Sequence, residues 1–207
     1  MGFLKNFMES INNADFTGKS EEAQEIIDGG DLFKAKLFLL EELNKKPKSV
    51  SLLFTMAQLL EEQQEYVEAL EYYDQVLAIK HNDIVIYNKA RILIYELDEF
   101  EDGLKTIKSF DGDDEDENKI QEFKAQALLN LGKFKECEKI CKKIMKEYPN
   151  ISPVIQVYAD CCYGQGNFQK SFDLNEKIIK LDPTDISAQN NKADLLIRLE
   201  KYDDALK

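Results

Sequence analysis

Apolar residues fall at three-and-four spacing along most of this chain. Leu53, Met56, Ala57 and Leu60 form one such run, and Tyr66, Ala69, Leu70, Tyr73, Val76 and Leu77 form the next. Each run marks one face of an α-helix. No segment alternates apolar and polar residues for long enough to predict a strand, so the pattern predicts an all-α chain. The helical runs also repeat. Large apolar residues stand at Leu32, Tyr66, Phe100, Phe134, Phe168 and Tyr202, and three residues after each comes a small one, Ala35, Ala69, Gly103, Cys137, Ser171 and Ala205. Twelve residues before each of these small residues runs a second series, Ala23, Ala57, Arg91, Ala125, Ala159 and Ala193. The interval is 34 residues throughout. Pro47, Pro149 and Pro183 keep the same phase, with His81 and Glu115 in the two intervening slots. A repeat of this length fixes the architecture before single elements are assigned.

Each unit reads as two helices. Gly132 before Phe134 and Gly166 before Phe168 mark the turn between halves, and Pro149 and Pro183 close their units, where proline cannot continue a helix. The small residues have a packing reason: two antiparallel helices approach closely only where neither projects a long side chain into the contact.

The string Leu131-Gly132-Lys133-Phe134, followed by Cys137 and Pro149, resembles the tetratricopeptide repeat, as does Gly166-Asn167-Phe168 with Ser171 and Pro183. The resemblance implies a right-handed superhelical α-solenoid of antiparallel helix pairs. About five and a half repeats begin near Phe16, Val50, Ile84, Asn118, Ser152 and Ile186, so the array spans 16–207 with its last repeat incomplete. Residues 1–15 stand outside it. There Phe3, Leu4, Phe7, Met8 and Ile11 share one face, which predicts a short amphipathic helix capping the open end of the first repeat. The chain stops at Lys207, in the middle of an expected second helix. The expectation is a fragment of a longer protein, or an end covered by another chain.

Charge and cysteine usage narrow the function. With 40 acidic against 27 basic residues the net charge is −13, which argues against a nucleic-acid or anionic-membrane surface. No apolar run is long enough to span a bilayer, and the first residues carry no secretory core. Four cysteines without disulfide-like spacing predict a reducing, cytoplasmic setting.

Catalytic constellations are absent from the pattern, and the reading is a non-enzymatic protein without cofactor or metal. The single histidine, His81, sits at an inter-repeat turn, and there is no glycine-rich phosphate loop or histidine-containing metal spacing. Cys137 and Cys141 lie one helical turn apart, and Cys162 takes an apolar position, so a thiolate cluster with Cys161 competes with plain packing, which free cysteine favours. The third repeat departs most from the pattern. Arg91 stands where the others have alanine, and Gly103 is expected to make room for its stem. The acidic run 111–117 lacks the ligand order of a calcium loop and reads as a solvated loop, with the preceding helix ending near Phe110.

Recognition remains. The resemblance implies that positions 2, 5, 9 and 12 of each unit line a concave groove. Mapped residue by residue, these positions include Phe54, Gln58, Asn88, Ile92, Tyr95, Glu122, Gln126, Gln156, Asp160, Asn190 and Asp194. Carboxamides can pair with the main chain of an extended peptide while Phe54, Ile92 and Tyr95 add apolar contact. The strip is mildly acidic, so the expected partner is a protein or peptide of basic or neutral polar character. A clamp for the C-terminal carboxylate of chaperones is disfavoured, because Asn191 and Lys119 match it only singly. Two alternatives stand beside the groove: an assembly or homo-oligomerisation module using the open C-terminal end, and a metal or redox site at the cysteines.

Overall fold

The second helix of every repeat starts on its large apolar residue, at Leu32, Tyr66, Phe100, Phe134, Phe168 and Tyr202. The structure, a computed structural model, describes residues 18–111 and 114–205, the side chains of 114–117 excepted. The expected capping helix over residues 3–14 lies outside the described residues. Twelve helices are described, with no strand among them. In chain order they are α1 (Gly18–Asp28), α2 (Leu32–Lys45), α3 (Val50–Glu62), α4 (Tyr66–Ile79), α5 (Asp83–Tyr95), α6 (Phe100–Ile107), α7 (Asp114–Asn130), α8 (Phe134–Glu147), α9 (Ser152–Gly164), α10 (Phe168–Leu181), α11 (Ile186–Arg198) and α12 (Tyr202–Ala205). Odd-numbered helices are the first halves of the repeats and even-numbered ones the second.

The turn inside each repeat has one construction. A residue with left-handed backbone recurs at Gly30, Gln64, Asp98, Gly132, Gly166 and Glu200, with φ between 56 and 84°. In every repeat but the third it ends the first helix by the paired bonds of a Schellman motif: Glu65 N–H to the Leu60 carbonyl at 2.8 Å and Gln64 N–H to Glu61 at 2.9 Å, repeated as Lys133 to Leu128 at 2.9 Å and Gly132 to Leu129 at 3.0 Å, whereas in the third Leu97 N–H returns to the Ile92 carbonyl at 3.1 Å. Between repeats, side-chain caps restart the next helix where they are available. Asn82 accepts from Val85 N–H at 3.0 Å and Asp185 from Ala188 N–H at 2.9 Å.

The helices fall into two compact units, Met1–Asp98 with Lys108–Asp111, and Glu99–Ile107 with Gly112–Lys207. The division falls in the third repeat, the one whose sequence departs most from the pattern. Each unit has its own core. In the first, Ala23, Ala35, Ala57 and Ala69 are fully buried, and around them pack Leu39, Leu53, Met56, Leu60, Tyr73 and Val76. In the second, Ala125, Cys137 and Ala159 occupy the close helix contacts, with Leu128, Ile144, Ile155, Tyr158 and Ile178 about them. The Phe134 ring sits so close to α9 that a Cβ on Gly164 would lie 2.6 Å from it, so that glycine seats the ring.

In the third repeat one expectation, that of the acidic loop, is corrected. Arg91 finds its partners in the first unit: its guanidinium pairs with Glu61 and, at 3.5 Å, with Glu96. The acidic run is not a loop throughout, because α7 takes in 114–117 as its first turn. Carboxylates oppose the dipole at the end of a helix but favour it at the start of the next one, and the second effect decides here. The preceding helix ends at Ile107, three residues earlier than expected. Asp111 remains outside both helices, its N–H donating to the Asp83 carboxylate at 3.0 Å.

Candidate functional site

Positions 2, 5 and 9 of a repeat lie on one face of its first helix, because three- and four-residue steps return to the same side. In the first unit this face is largely buried. Phe54 is 1% and Ile92 0% exposed, and both belong to the core cluster, Phe54 with its ring tilted against Tyr73 at 5.8 Å. Asn88 is 8% exposed and donates to the Tyr73 hydroxyl at 3.3 Å. That hydroxyl in turn donates to Glu61, so Asn88 joins the same network as Arg91. Burial pushes the Glu61 carboxyl upward, opposed by Tyr73 and Arg91. Gln58 is half-buried, and only Tyr95 of the expected first-unit residues is open, at 43%.

The second unit presents the corresponding face differently. Glu122, Gln126, Gln156, Asp160 and Asp194 are half-buried and Asn190 is exposed. They stand on α7, α9 and α11, of which α7 packs against α9. Gln156 donates to Asp160 at 2.8 Å. Burial pushes the carboxyls of Glu122 and Asp160 above their ordinary range, with Lys119 and the Gln156 hydrogen bond pulling the other way, respectively. Neither carboxylate has an ion pair among the described residues. Asp194 differs, since Tyr163 donates to it at 3.0 Å and Arg198 at 3.1 Å. Arg198 lies 5.0 Å from the Tyr163 ring centre, which adds a cation–π contact to this half-exposed group. Tyr163, at position 12 of its repeat, is the contact that the strip of candidates omitted.

Other candidate chemistry resolves into packing. His81 sits at a turn against Asp83, 3.2 Å away. The four cysteines are free and buried. Cys137 and Cys141 have sulfurs 4.0 Å apart, and Cys161 donates to the Phe134 carbonyl at 3.0 Å. The neighbouring Cys141 thiol and burial push Cys137 up, and burial pushes Cys161 and Cys162 up to about 11. Protonated, enclosed thiols are poor nucleophiles and poor ligands. No group of three or more candidate metal ligands is found among the described residues. Beside the last pair, a cleft of about 650 Å³ is lined by Phe172, Ile179, Ala193, Leu196 and Lys201. No described helix is long and apolar enough to cross a membrane.

Residues 174–207 match the sequence model of the tetratricopeptide repeat. No curated protein matches the sequence. Among solved structures, the fold is similar to a tetratricopeptide repeat protein from Parabacteroides merdae, with 21% identity and a TM-score of 0.79 over 91% of this chain and 75% of that one. It is similar to YrrB, described as a repeat protein of this type with an unusual peptide-binding site, at 16% identity and TM-score 0.75 over 93% of this chain and 98% of that one. A third likeness is to PilW, a type IV pilus biogenesis factor, at 17% identity and TM-score 0.74 over 91% and 87%. The chain thus has the all-α helix-pair fold of the tetratricopeptide repeat proteins, and its residues 174–207 carry the repeat's sequence signature.

Proposed function

We propose that this chain is a protein-interaction scaffold without catalytic activity, whose second unit takes an extended protein segment of basic or neutral polar character. The segment lies along Glu122, Gln126, Gln156, Asp160, Asn190 and Asp194. The observation that carries this reading is the pair of half-buried carboxylates at Glu122 and Asp160, which lack an ion pair among the described residues. A carboxylate so placed is poorly hydrated, and a lysine or arginine from a partner restores what burial removed. The carboxamides beside them offer a donor and an acceptor each to a partner main chain. The similarity in fold to YrrB, whose structure is described by its peptide-binding site, supports the same reading. Free, buried cysteines suit a reducing compartment such as the cytoplasm.

Calorimetric titration with matched basic and acidic peptides tests it. Basic peptides should bind, more weakly as salt rises, and the Glu122→Gln/Asp160→Asn variant should lose at least about tenfold in affinity with its circular dichroism unchanged. Equal binding of basic and acidic peptides would sink the proposal. The cleft beside the last pair, apolar at Phe172, Ile179 and Leu196 and rimmed by Gln189, Lys192, Lys201 and Asp204, supports a second reading, self-association through that end. Sedimentation across a wide concentration range decides it: a variant of the half-buried Phe172, Phe172→Lys, should stay monomeric where the unaltered chain dimerises, and a monomer at every concentration removes the idea.

A further inference from the structure

The outer face of α2 departs from the chemistry of the other second helices. At the second, sixth and ninth residues of α8 stand Lys135, Lys139 and Lys142, and at those of α10 stand Gln169, Asp173 and Glu176, as suits side chains in water. In α4 the last two of these places hold Glu71 and Asp74. In α2 all three are large and apolar: Phe33, Leu37 and Leu40 are 72%, 53% and 45% exposed. Steps of four and three residues put them on one side of the helix, in a stripe about 10 Å long. Single exposed apolar residues are ordinary, but a continuous stripe at places that are polar elsewhere marks a contact surface. The apolar surface continues toward α4. Lys36 pairs with Glu65 at 2.6 Å and with Glu68 at 3.7 Å, and Val67, between those two in sequence, is 65% exposed.

Charges beside the stripe point to its occupant. Lys34 and Glu41 lie on one flank, seven residues apart and on either side of Leu37. Lys34 has no ion pair among the described residues. Glu41 meets Lys45 at 2.7 Å, but Lys45 is shared with Glu42 at 2.9 Å, and the Glu41 side chain stays 69% exposed. On the opposite flank Lys36 is answered within the chain by Glu65 and Glu68. The face therefore lacks one anion and itself offers one.

We propose that two copies of this chain pair through α2, antiparallel about a two-fold axis beside Leu37. Such an axis sets each flank against the same flank of the copy, so a contact from one residue to another is made twice. Lys34 then meets Glu41 of the copy, and Glu41 meets the copy's Lys34. Leu37 packs on its own counterpart, with Phe33 beside the copy's Leu40. A parallel pair would set lysine against lysine. An interface centred on one helix is small, below about 1,200 Å² in total, so dimers should form at about 10–100 µM. The pairing uses neither the strip on α7, α9 and α11 nor the cleft beside α11.

Sedimentation of the full chain across ~1–500 µM tests the assignment. The unaltered chain should dimerise, and Leu37→Lys should stay monomeric throughout with its circular dichroism unchanged. Lys34→Glu and Glu41→Lys should each weaken dimerisation at least about tenfold, because each sets like charges together twice. The double variant Lys34→Glu/Glu41→Lys should recover it, and so should an equimolar mixture of the two single variants. Phe172→Lys should leave this dimer intact, which separates it from association through the cleft. A monomer at every concentration, a dimer that survives Leu37→Lys, or a double charge swap that restores nothing would overturn the proposal.

Discussion

Glu138 joins three helices of the second unit through one carboxylate. It pairs with Lys142 at 2.7 Å and Lys170 at 3.4 Å and accepts from the Tyr158 hydroxyl at 3.1 Å, while the Lys170 ammonium lies 4.6 Å from the Tyr158 ring centre. The Lys142 hydrogen bond, with Tyr158 and Lys170 behind it, lowers the carboxyl from 4.5 to about 2. A depressed carboxylate stabilises the fold at pH above its unfolded value, and the contribution is lost as pH falls through its folded one. Glu138→Gln should therefore lower the melting temperature at pH 7 and converge on the unaltered chain near pH 2. Both lysines are substantially exposed, so screening limits the effect to about 1 kcal/mol, or ~2–4 °C. A gap that persists at pH 2 would show that packing, not charge, holds the group. Nothing at this scale was legible in the repeat. Glu138, like Arg91 with Glu61, is paired across neighbouring helices at a single place, and an interaction made once leaves no periodic trace.

At the scale of elements, the left-handed residue that ends each first helix was only partly legible. Gly132 and Gly166 announce the turn, whereas Gln64 and Glu200 adopt the same backbone, with φ of 61 and 59°, and show no sign of it in their residue type. A non-glycine residue there costs about 1 kcal/mol or somewhat more, set against the entropy that glycine loses on folding. Gln64→Gly and Glu200→Gly should each stabilise by about 0.5–1 kcal/mol and Gly132→Ala should destabilise by about 1, all read by chemical denaturation. A loss of stability in both glycine variants would mean that the side chains, not the backbone, matter at these turns. The acidic run illustrates the opposite difficulty. Its charges were read against the helix that ends before it, while the helix that begins at Asp114 takes 114–117 as its own first turn.

Over the whole molecule, the 34-residue register specified helix order and the start of every second helix, because close packing between repeats demands a small residue at the same place each time. What the register does not carry is the difference between the two units. The signal was present residue by residue, in Phe54, Val85 and Ile92 against Glu122, Asp160 and Asp194, but a family position describes where a side chain points and not what lies over it. Burial separates a face that is covered from one that is open to a partner. The scaffold reading rests on the open one. Its most direct test is hydrogen exchange of the full chain with and without a saturating lysine-rich extended peptide. Slowed exchange concentrated in α7, α9 and α11 is the expected result, and protection confined to α8 and α10, or to the first unit, would contradict it.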